Sequence, residues 1–177
     1  MPKPPVQEPN FARMVPSGDN MERDVCVTCG FIDYVNPKIV VGSVVRWEEK
    51  ILLCKRAIEP RKGYWTLPAG YLELHETAEH GAAREAQEEA LADIEIERLL
   101  AVYSIPRISQ IQLMFRARLK RPEIGAGPES EAVALYDWDD IPWPELAFPS
   151  VNWALRHYEE TKDRTDFPPF SNPADGL

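Results

Sequence analysis

The sequence predicts a mixed α/β sandwich, and three observations carry that prediction. Residues 39–47 (Ile-Val-Val-Gly-Ser-Val-Val-Arg-Trp) have the β-branched composition of a buried strand. Residues 76–91 are rich in Ala and Glu and poor in β-branched residues, which is helix composition. Two strand-like stretches, 94–103 and 110–119, then follow one another, so the order is strands, helix, strands, helix, and not a Rossmann alternation. With 177 residues, 44% apolar and 28% charged, the chain can bury the core of one domain with short extensions.

The elements read in order as follows. Residues 1–20 carry five of the 17 prolines and no apolar period, so they read as an extended or mobile segment. Residues 21–37 contain the Cys26-x-x-Cys29 pair. After the strand at 39–47, Glu48-Glu49-Lys50 is a polar turn, and Ile51–Arg56 reads as the hairpin partner. Residues 57–64 form a charged loop, and Trp65–Pro68 is a short strand stopped by its proline. After the helix and two further strands, 120–130 is a Gly/Pro-containing loop and 131–138 a strand. Residues 150–161 read as a second helix, with Ser150 as its cap. Residues 162–177 are a second Pro-containing, mobile-looking tail.

Composition excludes several functions. Lys plus Arg total 20 against 29 Asp plus Glu, a net charge of −9. That opposes nucleic-acid binding through a broad basic surface, and adhesion to anionic membrane. No apolar run is long enough for a transmembrane helix, and Met1–Pro5 lacks the apolar core of a signal peptide. Three cysteines do not make a disulfide scaffold, so a reduced, cytoplasmic setting is expected.

The chemistry gathers in residues 70–89. Glu85, Glu88 and Glu89 stand at i, i+3 and i+4, within about 100° of one another on a helix. Like charges at that spacing repel, which makes physical sense if a hard cation sits among them. Oxygen ligands with room left for water and phosphate suit Mg²⁺ or Mn²⁺. Arg84 stands one turn from Glu88 and can orient a carboxylate. Ala78, Ala82, Ala86 and Ala90 form a small apolar stripe that lets the helix lie close on a sheet. A solvated Glu-rich face accounts for the three acids alone. It does not account for Gly70, five residues, Glu76, seven residues, then Arg84-Glu85-Ala86-Gln87-Glu88-Glu89.

That pattern resembles the Nudix box, Gly-x5-Glu-x7-Arg-Glu-aliphatic-x-Glu-Glu-x-Gly-aliphatic, and the preceding Trp65-Thr-Leu-Pro-Ala-Gly70 is similar to the family's lead-in. The departure is Leu91, where the box has Gly, which suggests a different helix exit or a strained one costing about 1 kcal/mol. The resemblance covers residues 38–161. It implies a Nudix αβα sandwich with a mixed sheet, preceded by a small β-hairpin flap at 21–37. It also implies Mg²⁺-dependent hydrolysis of a nucleoside diphosphate linked to another group. By the same resemblance Glu85, Glu88 and Glu89 bind metal, Glu76 and Arg84 support the loop and helix, and homodimers are common.

Local positive charge for an anionic substrate could come from Lys55-Arg56, Arg61-Lys62 or Arg107, with Arg56 the best candidate because it ends a pocket-bordering strand. Tyr64 and Tyr103 could stack on a base or flavin ring, or pack in core or rim. In ADP-ribose-type members a late-loop Glu serves as metal ligand or general base, and Glu129 is the candidate here, with Glu131 second. Asp24–Gly42 resembles the second half of a zinc-ribbon leader, and Gly127–Ser130 and Ile141–Phe148 are similar to the ADP-ribose/FAD group. Cys26 and Cys29 are only half of a four-ligand zinc site, so a metal-free flap is expected. The expected activity is therefore on ADP-ribose or FAD. The alternatives are an NADH or GDP-sugar pyrophosphatase, or a non-catalytic nucleotide sensor of the same fold.

Overall fold

The computed structural model describes residues 10–174. The expectation of no signal peptide, which rested on Met1–Pro5, lies outside the described residues. The chain divides into two compact units at Asn36/Pro37.

The first unit holds three antiparallel strands, β1 (Phe11–Met14), β2 (Arg23–Cys26) and β3 (Ile32–Asp33), in the order β1-β2-β3. The expected hairpin is thus a three-stranded sheet, and part of the segment expected to be mobile forms its first strand. Residues 10–15 contain no proline, so Phe11 to Met14 can pair with Cys26 to Arg23 in unbroken register.

The second unit is built on a seven-stranded mixed sheet. Its strands are β4 (Lys38–Trp47), β5 (Lys50–Arg56), β6 (Trp65–Thr66), β7 (Ala69–Tyr71), β8 (Ile94–Ile105), β9 (Gln110–Leu119) and β10 (Ser130–Tyr136). The order is β10-β5-β4-β9-β8, with β6 on β5 and β7 on β4. Only β4 and β9 run parallel. Helix α1 (Ala78–Ala90) packs on one face and α2 (Pro149–Thr161) on the other. The strand alternation decides which side chain serves which face. Val44, Ile51 and Leu53 join Leu155 and Tyr158 under α2. Their neighbours Val45, Leu52 and Cys54 join Ala86 and Ala90 under α1.

Ala82, Ala86 and Ala90 have no exposed surface, as the small apolar stripe requires. The helix starts at Ala78, two residues later than its composition suggests, because Thr77 caps it: the Thr77 Oγ1 accepts the His80 N–H at 3.2 Å. It ends on Leu91 in the left-handed region, φ 50° and ψ 28°. The Leu91 N–H donates to the Gln87 carbonyl and the Ala92 N–H to the Ala86 carbonyl. The helix therefore keeps the exit that glycine normally makes, and carries the left-handed strain on a leucine.

Helix α2 begins at Pro149, and Phe148 precedes it without a side-chain cap. Ser150 lies inside the first turn, because proline's fixed φ and missing N–H suit it to the first helical position. The tail after α2 is docked. The Phe170 N–H donates to the Leu100 carbonyl and its carbonyl accepts the Val102 N–H, both at 2.9 Å. Phe167 is buried, and the Phe170 ring stacks on His157 with centroids 4.1 Å apart. The tail covers β8, the free edge of the sheet, so backbone groups that would face water are paired.

Candidate active site

The box helix and the strand before it meet at Arg84. Its Nε and Nη2 donate to both oxygens of Glu76, at 3.1 and 2.8 Å, and Nη2 also donates to the Tyr71 carbonyl at 3.0 Å. Its Nη1 donates to Glu85 Oε1 at 2.7 Å and Glu88 Oε2 at 2.9 Å. Glu76 also accepts the Glu73 N–H. The Arg84 guanidinium, followed by that N–H, holds the Glu76 carboxyl down at about 2. Gly70 leaves no space for a side chain: a Cβ there would lie 2.4 Å from the Glu85 carboxylate oxygens.

Glu85 and Glu89 are 8% and 5% exposed, unusually low for acids. Burial raises the pKa of both and pushes Glu89 up to about 7. The Ala69 N–H, donating to Glu89 Oε2 at 3.1 Å, and the Arg56 charge offset part of this for Glu89. Glu85 and Glu129 act on Glu89 in the opposite sense.

The loop after β9 brings Glu129 to the helix. The Gly125 and Gly127 N–H groups donate to the Ala90 and Glu89 carbonyls, satisfying the helix end. Gly127 must be glycine, since a Cβ there would fall 1.7 Å from the Glu88 carbonyl oxygen. The Glu129 carbonyl accepts the Ala57 N–H at 2.8 Å, which ties the loop to the end of β5.

A divalent cation fits the chemistry of this donor set. Burial first, and neighbouring carboxylates after it, raise the pKa of Glu85 and Glu89, and added positive charge would relieve both. Among the described residues, Glu85 Oε2, Glu88 Oε1 and Glu89 Oε1 accept no hydrogen bond. The acids do not yet converge as a closed metal cage, because Arg84 holds one oxygen each of Glu85 and Glu88.

One cavity of about 890 Å³ is lined by Arg56, Gly70, Arg84, Glu85, Glu88, Glu89 and Glu129 together. Six sequence candidates for substrate contact, Lys55 and Lys62 among them, stand outside its lining. Tyr103 is fully buried between β8 and α2, where its hydroxyl meets His157 Nδ1 at 2.7 Å, so it cannot stack on a ligand. Tyr64 lies outside the cavity lining, under the Arg61 guanidinium. Arg61 opens onto a separate groove with Asn152 and Arg156. Arg107 is also outside the cavity lining. Sequence reasoning missed Tyr71, Gln110, Gln112, Met114 and Phe148, all of which line the cavity. The readable signal was Gln110 and Gln112 at i, i+2, which puts two amides on one face of the apolar first half of β9.

In the first unit, the Cys26 carbonyl accepts the Gly30 N–H, and Gly30 takes φ 77°. The N–H groups of Cys29 and Thr28 hold the buried Cys26 thiol below its usual pKa. Cys29 is exposed. The residues do not fit a zinc site: among the described residues no third Cys, His, Asp or Glu joins the pair at ligand spacing.

The NUDIX domain model matches residues 36–158, which is more than half of the chain. The chain belongs to the Nudix hydrolase family. The Nudix N-terminal model matches residues 9–35. A Nudix hydrolase structure from Nitrosomonas europaea is 42% identical, with TM-score 0.88, covering 97% of this chain and 98% of that one. An ADP-ribose pyrophosphatase of Methanocaldococcus jannaschii is 34% identical over 119 residues, 65% of this chain and 69% of that protein. The NAD-capped RNA hydrolase NudC of Salmonella paratyphi C is 31% identical over 128 residues, 72% of this chain but 48% of the relative. This Nudix hydrolase therefore spans about half the length of that relative. No helix among the described residues is long and apolar enough to cross a membrane.

Proposed function

We propose that this Nudix hydrolase cleaves the pyrophosphate of ADP-ribose to AMP and ribose 5-phosphate in a Mg²⁺-dependent reaction. The observation that carries this reading is the convergence of Glu85, Glu88, Glu89, Glu129 and Arg56 on one cavity. The 34% identical ADP-ribose pyrophosphatase supports the choice of substrate. Glu85, Glu88 and Glu89 would hold Mg²⁺, with Mn²⁺ a possible substitute. The ion neutralises diphosphate charge and polarises water. Arg56 supplies fixed positive charge at the mouth of β5. Glu129, held by its backbone to Ala57, takes the proton from the attacking water. The water oxygen bonds to one phosphorus, the bridging P–O bond breaks, and the bridging oxygen leaves with the other phosphate.

A bare nucleotide sensor does not need this acid set, so its retention favours turnover. The test is phosphate release, after added phosphatase, from ADP-ribose, FAD, NADH and GDP-mannose, with Mg²⁺ and with EDTA. ADP-ribose should be turned over only with metal. The Glu88→Gln/Glu89→Gln variant should lose more than the roughly 10–100-fold of an outer-shell change while melting as a folded protein. Metal-independent turnover, or an unaffected double variant, would overturn the reading.

A further inference from the structure

We propose that Gln110 and Gln112 read the nucleobase and select adenine over its 6-oxo counterparts. The inference rests on the nucleotide reading of the cavity. Residues 110, 112 and 114 share one face of β9 and all line the cavity, while Leu113 and Phe115 on the opposite face pack near α1. Both glutamines are half-buried, and Met114 is buried beneath them. The neighbours that complete this wall, Val40, Tyr71 and Ile108, carry no charge.

The position suits a base. Gly70, which touches Glu85, pairs with Val41 of β4, and Val41 pairs with Leu113 of β9. The strand that touches the acids and the strand that carries the amides therefore lie about 10 Å apart across the sheet, with Gln112 one residue and Gln110 three residues along β9 from that level, and the amides project from the face opposite α1. That separation is comparable to the reach of a nucleoside from its 5′-phosphate to its base.

The chemistry suits adenine. Gln112 Nε2 contacts Gln110 Oε1, and Gln110 Nε2 contacts the Tyr71 hydroxyl, both at 3.4 Å. These bonds are longer than the usual ~2.9 Å, so the amides can turn to a ligand at small cost. A carboxamide presents a donor beside an acceptor, and adenine presents an amino donor beside a ring-nitrogen acceptor. On the N7 edge hypoxanthine and guanine present two acceptors, and reading them calls for paired donors, as on arginine or lysine. The lysine beside this wall, Lys38 opposite Gln110, is engaged over the Tyr71 ring at 5.0 Å. Met114 and Ile108 provide apolar contact for the ring faces.

The test measures equilibrium binding of AMP and IMP to the full chain by calorimetry. Turnover of ADP-ribose and of its deaminated analogue, inosine diphosphate ribose, is measured in parallel. Wild type should favour the adenine compound by roughly 5- to 150-fold, the worth of one bidentate amide–base pair. Gln112→Ala and the near-isosteric Gln112→Met should bring the ratio close to one, as should Gln110→Met. Equal binding of AMP and IMP by wild type, or an unchanged preference in these variants, would overturn the assignment. If ADP-ribose is not hydrolysed but the AMP preference exists and is lost in the variants, the substrate reading fails and the base readout stands.

Discussion

Helix α1 and the N-terminal sheet each present short-spaced side chains of a kind that holds metal, and they are supported differently. Around α1 the support comes from distant parts of the chain. Arg84 ties Glu76 to Glu85 and Glu88, Gly70 lets β7 lie against Glu85, and the Gly127 loop closes over the helix end. In the N-terminal sheet the support is local. Asp19 accepts the Asn20 and Met21 N–H groups and the Arg23 guanidinium, and the β1–β2 ladder does the rest. Burying acids against one another costs stability, which Arg84, Arg56 and the Ala69 N–H offset in part and a bound cation or a proton would offset further. Hydrogen-bonding a thiol to two turn amides leaves no such debt. The acidic centre thus carries buried negative charge that a cation would offset, and the cysteine turn carries none.

The comparison is sharpened most by Arg84. If the clamp positions the acids, Arg84→Lys should lower metal-dependent turnover by roughly 10–100-fold, as lost outer-shell support does, because one ammonium cannot replace a fork reaching three carboxylates. The same variant should lose the pH-dependent part of the stability that Glu76 supplies. Glu76 is held at about 2 in the fold against an ordinary 4.5, so its ion pair adds stability above about pH 4.5 and loses it as pH falls toward 2. Melts from pH 7 to pH 3 should show a smaller fall in Tm for the variant than for wild type. A variant with wild-type turnover and an unchanged pH profile would reduce Arg84 to surface decoration.

A smaller effect is expected at the helix exit. Leu91→Gly removes the left-handed strain but adds backbone entropy to the unfolded chain, and it loses the contact of Leu91 with the Gly125 loop. The net should be stabilisation of about 1 kcal/mol or less, read as a raised denaturant midpoint at constant slope. A loss of stability would mean that the leucine packs usefully against the loop that carries Glu129.

The α1 acid cluster was legible because its acids sit within one stretch, where helical period converts spacing into geometry. Tyr103 was not legible. Strand β8 has register shifts between Ile96 and Arg98 and between Leu99 and Ala101, so parity counted from either end does not say which face a residue takes. The docked tail was hidden for another reason. Phe167 and Phe170 stand among prolines with no period, and they are ordered by the open edge of β8, some 65 residues earlier in the chain. Gln110 and Gln112 were passed over, because only the fold shows that their face of β9 borders a cavity. The glycines at 125 and 127 looked like mobility, and their N–H groups are spent on the end of α1.

The smallest effect separates the two regions most cleanly. If the N-terminal sheet stands without metal, purified protein should hold well under one zinc per chain, and EDTA should leave its melting unchanged. Cys29→Ser should cost less than about 0.5 kcal/mol, as exposed substitutions do. Cys26→Ser keeps an acceptor for the Thr28 and Cys29 N–H groups and should cost about 1 kcal/mol, from a buried sulfur replaced by a smaller, more polar atom. A zinc ribbon behaves differently, because binding and folding are one event there and losing a ligand unfolds the module. Stoichiometric zinc, with loss of structure on chelation or in either serine variant, would reverse the contrast. The missing ligands would then come from a second chain or from other ligands reaching in, since residues 1–25 contain no Cys or His.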